Sequence, residues 1–245
     1  MSSYQRFAEV YDTLMMDIPY DQYVDWVVKH APSITAPKLL DVGCGTGVMA
    51  AKFARQGYDV SGVDLSEEML AIASERFMDD KLAIPLFCQS MDELEGFSDL
   101  NVVTIPIDSL NYLVDEEAVV ATFEHIYAAL CNGGHLFFDV HSLFKMDSIF
   151  LDGPFTYDDG EITYIWDTEA GEAPHSVHHD MTFYVNVNEQ LFERFEEYHY
   201  QRTFSAEQYV KWLNDAGFSK VSITADYKEE APVAESERLF FHVVK

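Results

Sequence analysis

The run Leu39-Leu40-Asp41-Val42-Gly43-Cys44-Gly45-Thr46-Gly47 constrains this chain more than any other segment. An apolar strand enters a glycine-rich turn and leaves it as a helix. Gly43, Gly45 and Gly47 remove the Cβ atoms that would hold the backbone away from a ligand. The helix that follows presents unpaired N–H groups to an anionic or polar group. Such turns also occur without a ligand, so the next strand matters. It reads Val60-Ser61-Gly62-Val63-Asp64 and ends in an acid, 21 residues after Gly43. Dinucleotide folds use an acid placed there to accept hydrogen bonds from ribose hydroxyls. Taken alone, Asp64 reads equally well as a helix cap. Glycine turn and acid together point to an adenosine-containing ligand. The nicotinamide fingerprint wants a small residue where Val48 stands. Asp41, just before the turn, would repel a pyrophosphate and suits a cation.

The pattern around this run predicts alternating strands and helices. Strands are expected over 38–42, 59–63, 84–88, 102–105 and 135–140. Helices fall over 47–56, 67–78 and 115–130, the last stopped by Asn132-Gly133-Gly134. That alternation implies a parallel sheet covered on both faces. Two amphipathic helices are expected before it, over 4–16 and 21–30. Residues 150–202 change character, with strand-like runs over 161–167, 181–188 and 191–202 and a hairpin turn at 188–190. Ser205 then opens a helix with Gln208 as its capping partner, Gly217 ends it, and strands over 220–225 and 238–244 follow. The expected organisation is one α/β domain. Residues 1–37 form a helical lid, 38–149 a cofactor-binding core and 150–202 an inserted antiparallel layer. Residues 203–245 complete the sheet.

Charge narrows the partners. The 245 residues include 43 acidic and 15 basic side chains, a net charge of −28. No Lys/Arg cluster supplies the phosphate contacts that nucleic acids need. RNA, DNA and anionic membranes are therefore not expected partners, and the charge serves solubility. The 48% hydrophobic content provides a sizeable core. Cys44, Cys88 and Cys131 show neither paired nor metal-type spacing and suit a reducing cytoplasm. The first ten residues lack a signal-peptide pattern, and no run approaches a membrane span. A soluble cytoplasmic protein is expected.

The motifs resemble those of the class I S-adenosylmethionine-dependent methyltransferases. Asp41 to Gly47 looks like the family's first motif, and Gly62-Val63-Asp64-Leu65-Ser66 with Met69-Leu70 looks like its second. The resemblance implies a Rossmann-like, doubly wound, mostly parallel sheet that binds S-adenosylmethionine and releases S-adenosylhomocysteine. Asp41, Gly43, Cys44, Gly45 and Gly47 would line the methionine and ribose portions, with Asp64 on the ribose hydroxyls. Leu65 and Met69 would flank the adenine, joined by Ser90 and Met91; Ser90 stands where the family often has an Asp. Ile105 ends the fourth strand beside the sulfonium. The N-terminal run with Tyr11 and Tyr20 resembles the lid of small-molecule members. A tyrosine there contacts the cofactor carboxylate, unless the helix simply packs its aromatic residues inward.

Acceptor-side residues are read from the strand ends. Asp108, Ser109 and Asn111 follow the fourth strand and either orient an acceptor or bond within their own loop. His141 ends the fifth strand and either takes a proton or serves a structural role. His175, His178 and His179 read as exposed loop histidines more readily than as a metal site, and no metal is assigned. The region after residue 150 looks like that of sugar-amine and glycine N-methyltransferases, whose inserted layer forms an acceptor pocket or a subunit contact, so a homodimer is allowed. The expected function is methyl transfer to N or O of a small soluble acceptor. The alternatives are methylation of tRNA, rRNA or protein, and a non-catalytic cofactor-binding protein.

Overall fold

Successive side chains of a strand point to opposite faces, so the pairs Leu39-Leu40, Val102-Val103, Phe137-Phe138 and Phe240-Phe241 each feed two separate cores. The computed structural model describes residues 18–188 and 191–245. In chain order it begins with α1 (Tyr20–His30), β1 (Lys38–Val42), α2 (Val48–Arg55), β2 (Asp59–Asp64) and α3 (Glu67–Asp79). There follow β3 (Leu86–Cys88), β4 (Leu100–Ile105), α4 (Glu116–Ala129) and β5 (Leu130–His141). Four further strands are β6 (Phe155–Asp158), β7 (Ile162–Ala170), β8 (Ser176–Asn188) and β9 (Leu191–Arg202). The last elements are α5 (Ala206–Ala216), β10 (Lys220–Ala225) and β11 (Arg238–Val244).

Seven strands form the main sheet in the order β10-β11-β5-β4-β1-β2-β3, and β11 runs antiparallel to both its neighbours. Helices α1, α2 and α3 cover one face and enclose Tyr23, Phe53, Phe77 and Phe137. Helices α4 and α5 cover the other, around Phe123, Phe138, Trp212 and Phe241. This is the expected Rossmann-like arrangement. Because β1, β2, β4 and β5 are parallel, their carboxyl ends share one rim, where open α/β sheets bind ligands.

The second sheet, β6-β7-β8-β9, is wholly antiparallel. It has four strands where the sequence pattern suggests three, and β8 starts at Ser176 rather than 181. Its inner face packs Ile162, Phe183 and Phe195 against Met69 of α3. A second contact joins Val177 to Met146 and Phe150, beyond the end of β5. The layer therefore stands over the rim. Other boundaries move for local reasons. Strand β3 shortens because Pro85 offers its carbonyl to Gly62 but has no N–H to donate. Leu130 already pairs with Leu100, so β5 takes in Asn132-Gly133-Gly134 through a register shift. Ser205 Oγ accepts from Gln208 N at 3.2 Å and Gly217 ends α5 with φ +110°, as its sequence suggests. The helix expected over 4–16 lies outside the described residues, as do Glu189 and Gln190 of the expected turn. No described helix is long and apolar enough to cross a membrane.

Phe138 is fully buried and stacks on Phe241 with ring centroids 4.5 Å apart. Phe138→Ala is expected to lower the unfolding free energy by about 3–5 kcal/mol, measured by urea titration. A loss below about 1 kcal/mol would contradict the two-core account.

Candidate active site

The turn after β1 and the loop after β4 meet because Gly43 has no side chain: a Cβ there would stand 2.7 Å from Ser109 Cβ. At Gly45 φ is +53°, and a Cβ would meet nothing within 4 Å. Gly45 opens instead onto a cavity of about 490 Å³, walled also by Gly43, Asp64, Leu65, Met69, Ser90 and Met91. Asp64 ties the turn together. Its Oδ2 accepts from Gly45 N at 2.7 Å and its Oδ1 from Ser66 N at 2.9 Å. Burial raises its pKa while these amides hold it down. The helix cap is Ser66, whose Oγ accepts from Met69 N at 3.1 Å. Leu65 is 71% exposed, an apolar side chain held at the cavity mouth. The Ser90 hydroxyl donates to Asp92.

Asp41 is sealed from water beneath the turn. Thr104 Oγ1 donates to its Oδ1 at 2.8 Å, while its Oδ2 has no partner among the described residues. Burial pushes this carboxyl up to about 7. The buried Tyr23 hydroxyl also has no partner among the described residues, and burial together with the charges of Asp139 and Asp41 raises its pKa. Tyr20 and Cys44 line a small recess of about 40 Å³ beside Gly43 and Gly45. Ile105 is fully buried in the core. Tyr11 lies outside the described residues.

Ser109, Tyr112 and His199 are common to this cavity and to a second one of about 300 Å³ under the antiparallel layer. Phe150, Tyr164 and Trp166 supply aromatic wall there; Asp108, His141, Lys145, His179 and Arg238 supply polar wall. The loop that carries Asp108 is strained. Ile107 and Asp108 take φ of +56° and +49°, conformations that are uncommon outside glycine. Asp139, fully buried at the end of β5, holds them by accepting from Ile107 N at 2.7 Å and Asp108 N at 3.1 Å. Arg238 of β11 bridges Asp139 and Asp108, the latter at 2.7 Å.

These bonds set the protonation of the wall. Burial opposes ionisation of Asp108, but His141 and Arg238 outweigh it and hold the carboxyl well below its usual range. An ionised carboxylate only accepts. His141 Nε2, 3.3 Å from Asp108, therefore carries the ring proton, and its buried Nδ1 is a lone pair without a partner among the described residues. The Trp166 indole N–H donates to His179 Nδ1 at 3.1 Å, which places the His179 proton on Nε2, buried near the Gln201 side chain and without a hydrogen-bond partner among the described residues. Burial pushes both imidazoles down to about 4. His179 is 3% exposed within β8, not on an exposed loop, because β8 starts at Ser176 and pairs His179 with Thr168 of β7 and His199 of β9. No group of three or more His, Cys, Asp or Glu among the described residues could hold a metal ion.

Asn111 is fully buried. It donates to Arg202 O at 2.8 Å and accepts from His141 N at 3.0 Å, stapling the loop to β5 and β9. Sequence reasoning missed Arg238, Lys145, Tyr112 and His199 as site residues. For Arg238 a signal existed, a rare basic residue opening the apolar run Arg238-Leu239-Phe240-Phe241.

Arg238→Met leaves two buried carboxylates without their cation, and a loss of about 3–5 kcal/mol at pH 7 is expected. Asp108, whose folded pKa is depressed, contributes stability above its unfolded pKa and loses it as pH falls. The deficit of the variant should accordingly shrink toward about pH 4, where both carboxyls can be neutral. Urea titrations at the two pH values that gave an equal deficit would refute the ion network.

A protein-family model for the methyltransferase domain matches residues 39–134. A Geobacillus sp. (strain WCH70) protein named as a methyltransferase is 48% identical over 242 residues, 98% of each chain. A Bacillus subtilis (strain 168) protein, named as the methyltransferase YqeM, is 42% identical over 99% of this chain and 97% of that one. The solved S-adenosylmethionine-dependent methyltransferase from Clostridium acetobutylicum ATCC 824 overlays with a TM-score of 0.87 at 27% identity, covering 99% of both chains. The sugar N-methyltransferase KedS8 from Streptoalloteichus sp. ATCC 53650 shares the fold, with a TM-score of 0.76 at 21% identity over 96% of this chain and 92% of that one. With the glycine turn, Asp64 and the paired cavities in place, these similarities assign the chain to the class I S-adenosylmethionine-dependent methyltransferases.

Proposed function

We propose that this enzyme methylates a nitrogen or oxygen of a small soluble acceptor held in the 300 Å³ cavity. The observation that carries the reading is that Ser109, Tyr112 and His199 line both cavities, which sets the second cavity beside the cofactor cavity. A volume of that size suits a small molecule. A sugar N-methyltransferase among the structural neighbours shares the architecture, and the net charge of −28 lends no support to a nucleic-acid substrate. The three cysteines are unpaired, in keeping with a cytoplasmic setting.

Bound S-adenosylmethionine supplies an electrophilic methyl group. Asp64 has lone pairs left beside its two amide bonds and takes the ribose hydroxyls with them. Gly43 and Gly45 admit the methionine portion alongside Cys44, Gly47 and Tyr20. The unpartnered Asp41 oxygen gives a nearby cation its counter-charge. Leu65, Met69, Ser90 and Met91 flank the adenine. On the acceptor side, Tyr112 and His199, whose Oη and Nδ1 lie 3.2 Å apart, orient the nucleophile beside the cofactor cavity. With a pKa near 4, His141 is a weak proton acceptor at neutral pH. Its role is to position Asp108, and Asn111 positions His141. The antiparallel layer excludes water and aligns the reactants.

Calorimetry with S-adenosylmethionine and S-adenosylhomocysteine should show affinities on the order of micromolar, weakened at least about ten-fold in a folded Asp64→Ala protein. Mass-spectrometric screening of amines, hydroxy acids and phenols should then find a methylated product. Methyl transfer confined to tRNA or protein would sink the small-acceptor reading. Asp41 adds a pH test. A carboxyl with a pKa about 7 is neutral below that value, so affinity for the cationic ligand should fall as pH drops from about 8 to about 6. Asp41→Asn should flatten that dependence; an equally steep profile in the variant would remove Asp41 from the cation's surroundings.

A further inference from the structure

Only 15 basic side chains occur in this acidic chain, and two of them, Arg238 and Lys145, line the 300 Å³ cavity. Arg238 is fully engaged by Asp108 and Asp139. Lys145 is not. Its side chain is 19% exposed, and its nearest carboxylate, Glu237 Oε2, is 3.7 Å away, beyond hydrogen-bonding distance. The Phe150 ring lies 5.3 Å from the ammonium. Among the described residues the ammonium is thus held by a single longer-range ion pair, to Glu237, and keeps N–H donors for a ligand. His179 adds another, since Trp166 fixes its proton on the buried Nε2, which has no partner among the described residues. A group that only accepts can bond to both side chains at once.

We propose that the methyl acceptor is a small carboxylic acid whose carboxylate docks on Lys145 and the His179 Nε2–H, with its amine or hydroxyl nucleophile toward Tyr112 and His199. The inference rests on the small-acceptor reading and names the acceptor's class. The nearby carboxylates do not fill this role. Asp108 and Asp139 are occupied by Arg238, by the amides of Ile107 and Asp108, and by Gln201 and His141. Glu237 is 52% exposed and can turn to water when a ligand arrives. Their combined charge favours a monoanion over a phosphate dianion. Phe150, Tyr164, Trp166 and Met181 leave an apolar space between the two ends for a compact hydrocarbon or aromatic body.

Four probes test this in the full chain saturated with S-adenosylhomocysteine: benzoate, benzamide, benzylammonium and phenyl phosphate, titrated by calorimetry. Benzoate should bind about ten-fold more tightly than benzamide. Lys145→Met should abolish that preference, and Glu237→Gln, which removes the competing carboxylate 3.7 Å from the ammonium, should strengthen benzoate binding. A lysine that merely balanced its neighbours' charge would give no benzoate preference to lose. Benzamide equal to benzoate, benzylammonium or phenyl phosphate binding best, or an undiminished preference in folded Lys145→Met would each overturn the carboxylate assignment while leaving a small acceptor in place. Failure of all four probes to bind would overturn both.

Discussion

A carboxylate sealed from water has to be answered by the groups around it, or it does not stay ionised. Asp139 is answered by two backbone amides and one guanidinium, and much of the acceptor side follows from that arrangement. The two amides belong to consecutive residues with left-handed φ, a geometry costing on the order of 1–3 kcal/mol per residue when nothing compensates it. The guanidinium reaches on to Asp108, the second of those residues. One buried charge thereby shapes the loop after β4, and the loop in turn presents Ser109 and Tyr112 to both cavities.

Tautomer control extends the same logic across the cavity wall. Asp108 fixes the proton on one nitrogen of His141, and an indole that can only donate fixes the proton of His179. The wall therefore offers a defined pattern of donors and acceptors at neutral pH without any imidazolium, since burial keeps both rings neutral there. A ligand meets a fixed surface that needs little rearrangement on binding, the condition under which positioning accelerates a reaction most.

Much of the cofactor half was legible in the sequence because its signals are local. A strand, three glycines and a helix lie within one short stretch, and Asp64 closes the next strand. The parallel sheet was readable for the same reason, since each strand–helix unit carries its own periodicity. The acceptor half was less legible because its contacts join distant positions. Arg238 lies 130 residues from Asp108, and His199 lies 87 from Tyr112. In the sequence Asn111 reads as a residue that orients an acceptor or bonds within its own loop; its partners on β5 and β9 make it a buried staple between elements. His179 sits in a run of histidines that reads as a polar loop until the longer β8 pairs it between β7 and β9 against Phe150 and Trp166. Periodicity describes single elements and is silent about which elements meet.

The antiparallel course of β11 beside β5 also has a meaning for biosynthesis. Strand, turn and acid of the cofactor half emerge from the ribosome first, whereas the loop at Asp108 must wait 130 residues for Arg238. At about 5–20 residues per second, that interval is on the order of ten seconds. During it, two carboxylates meant for burial have no cation and favour water. The nascent chain thus exposes its glycine turn and Asp64 well before the cation that the second cavity needs has been made.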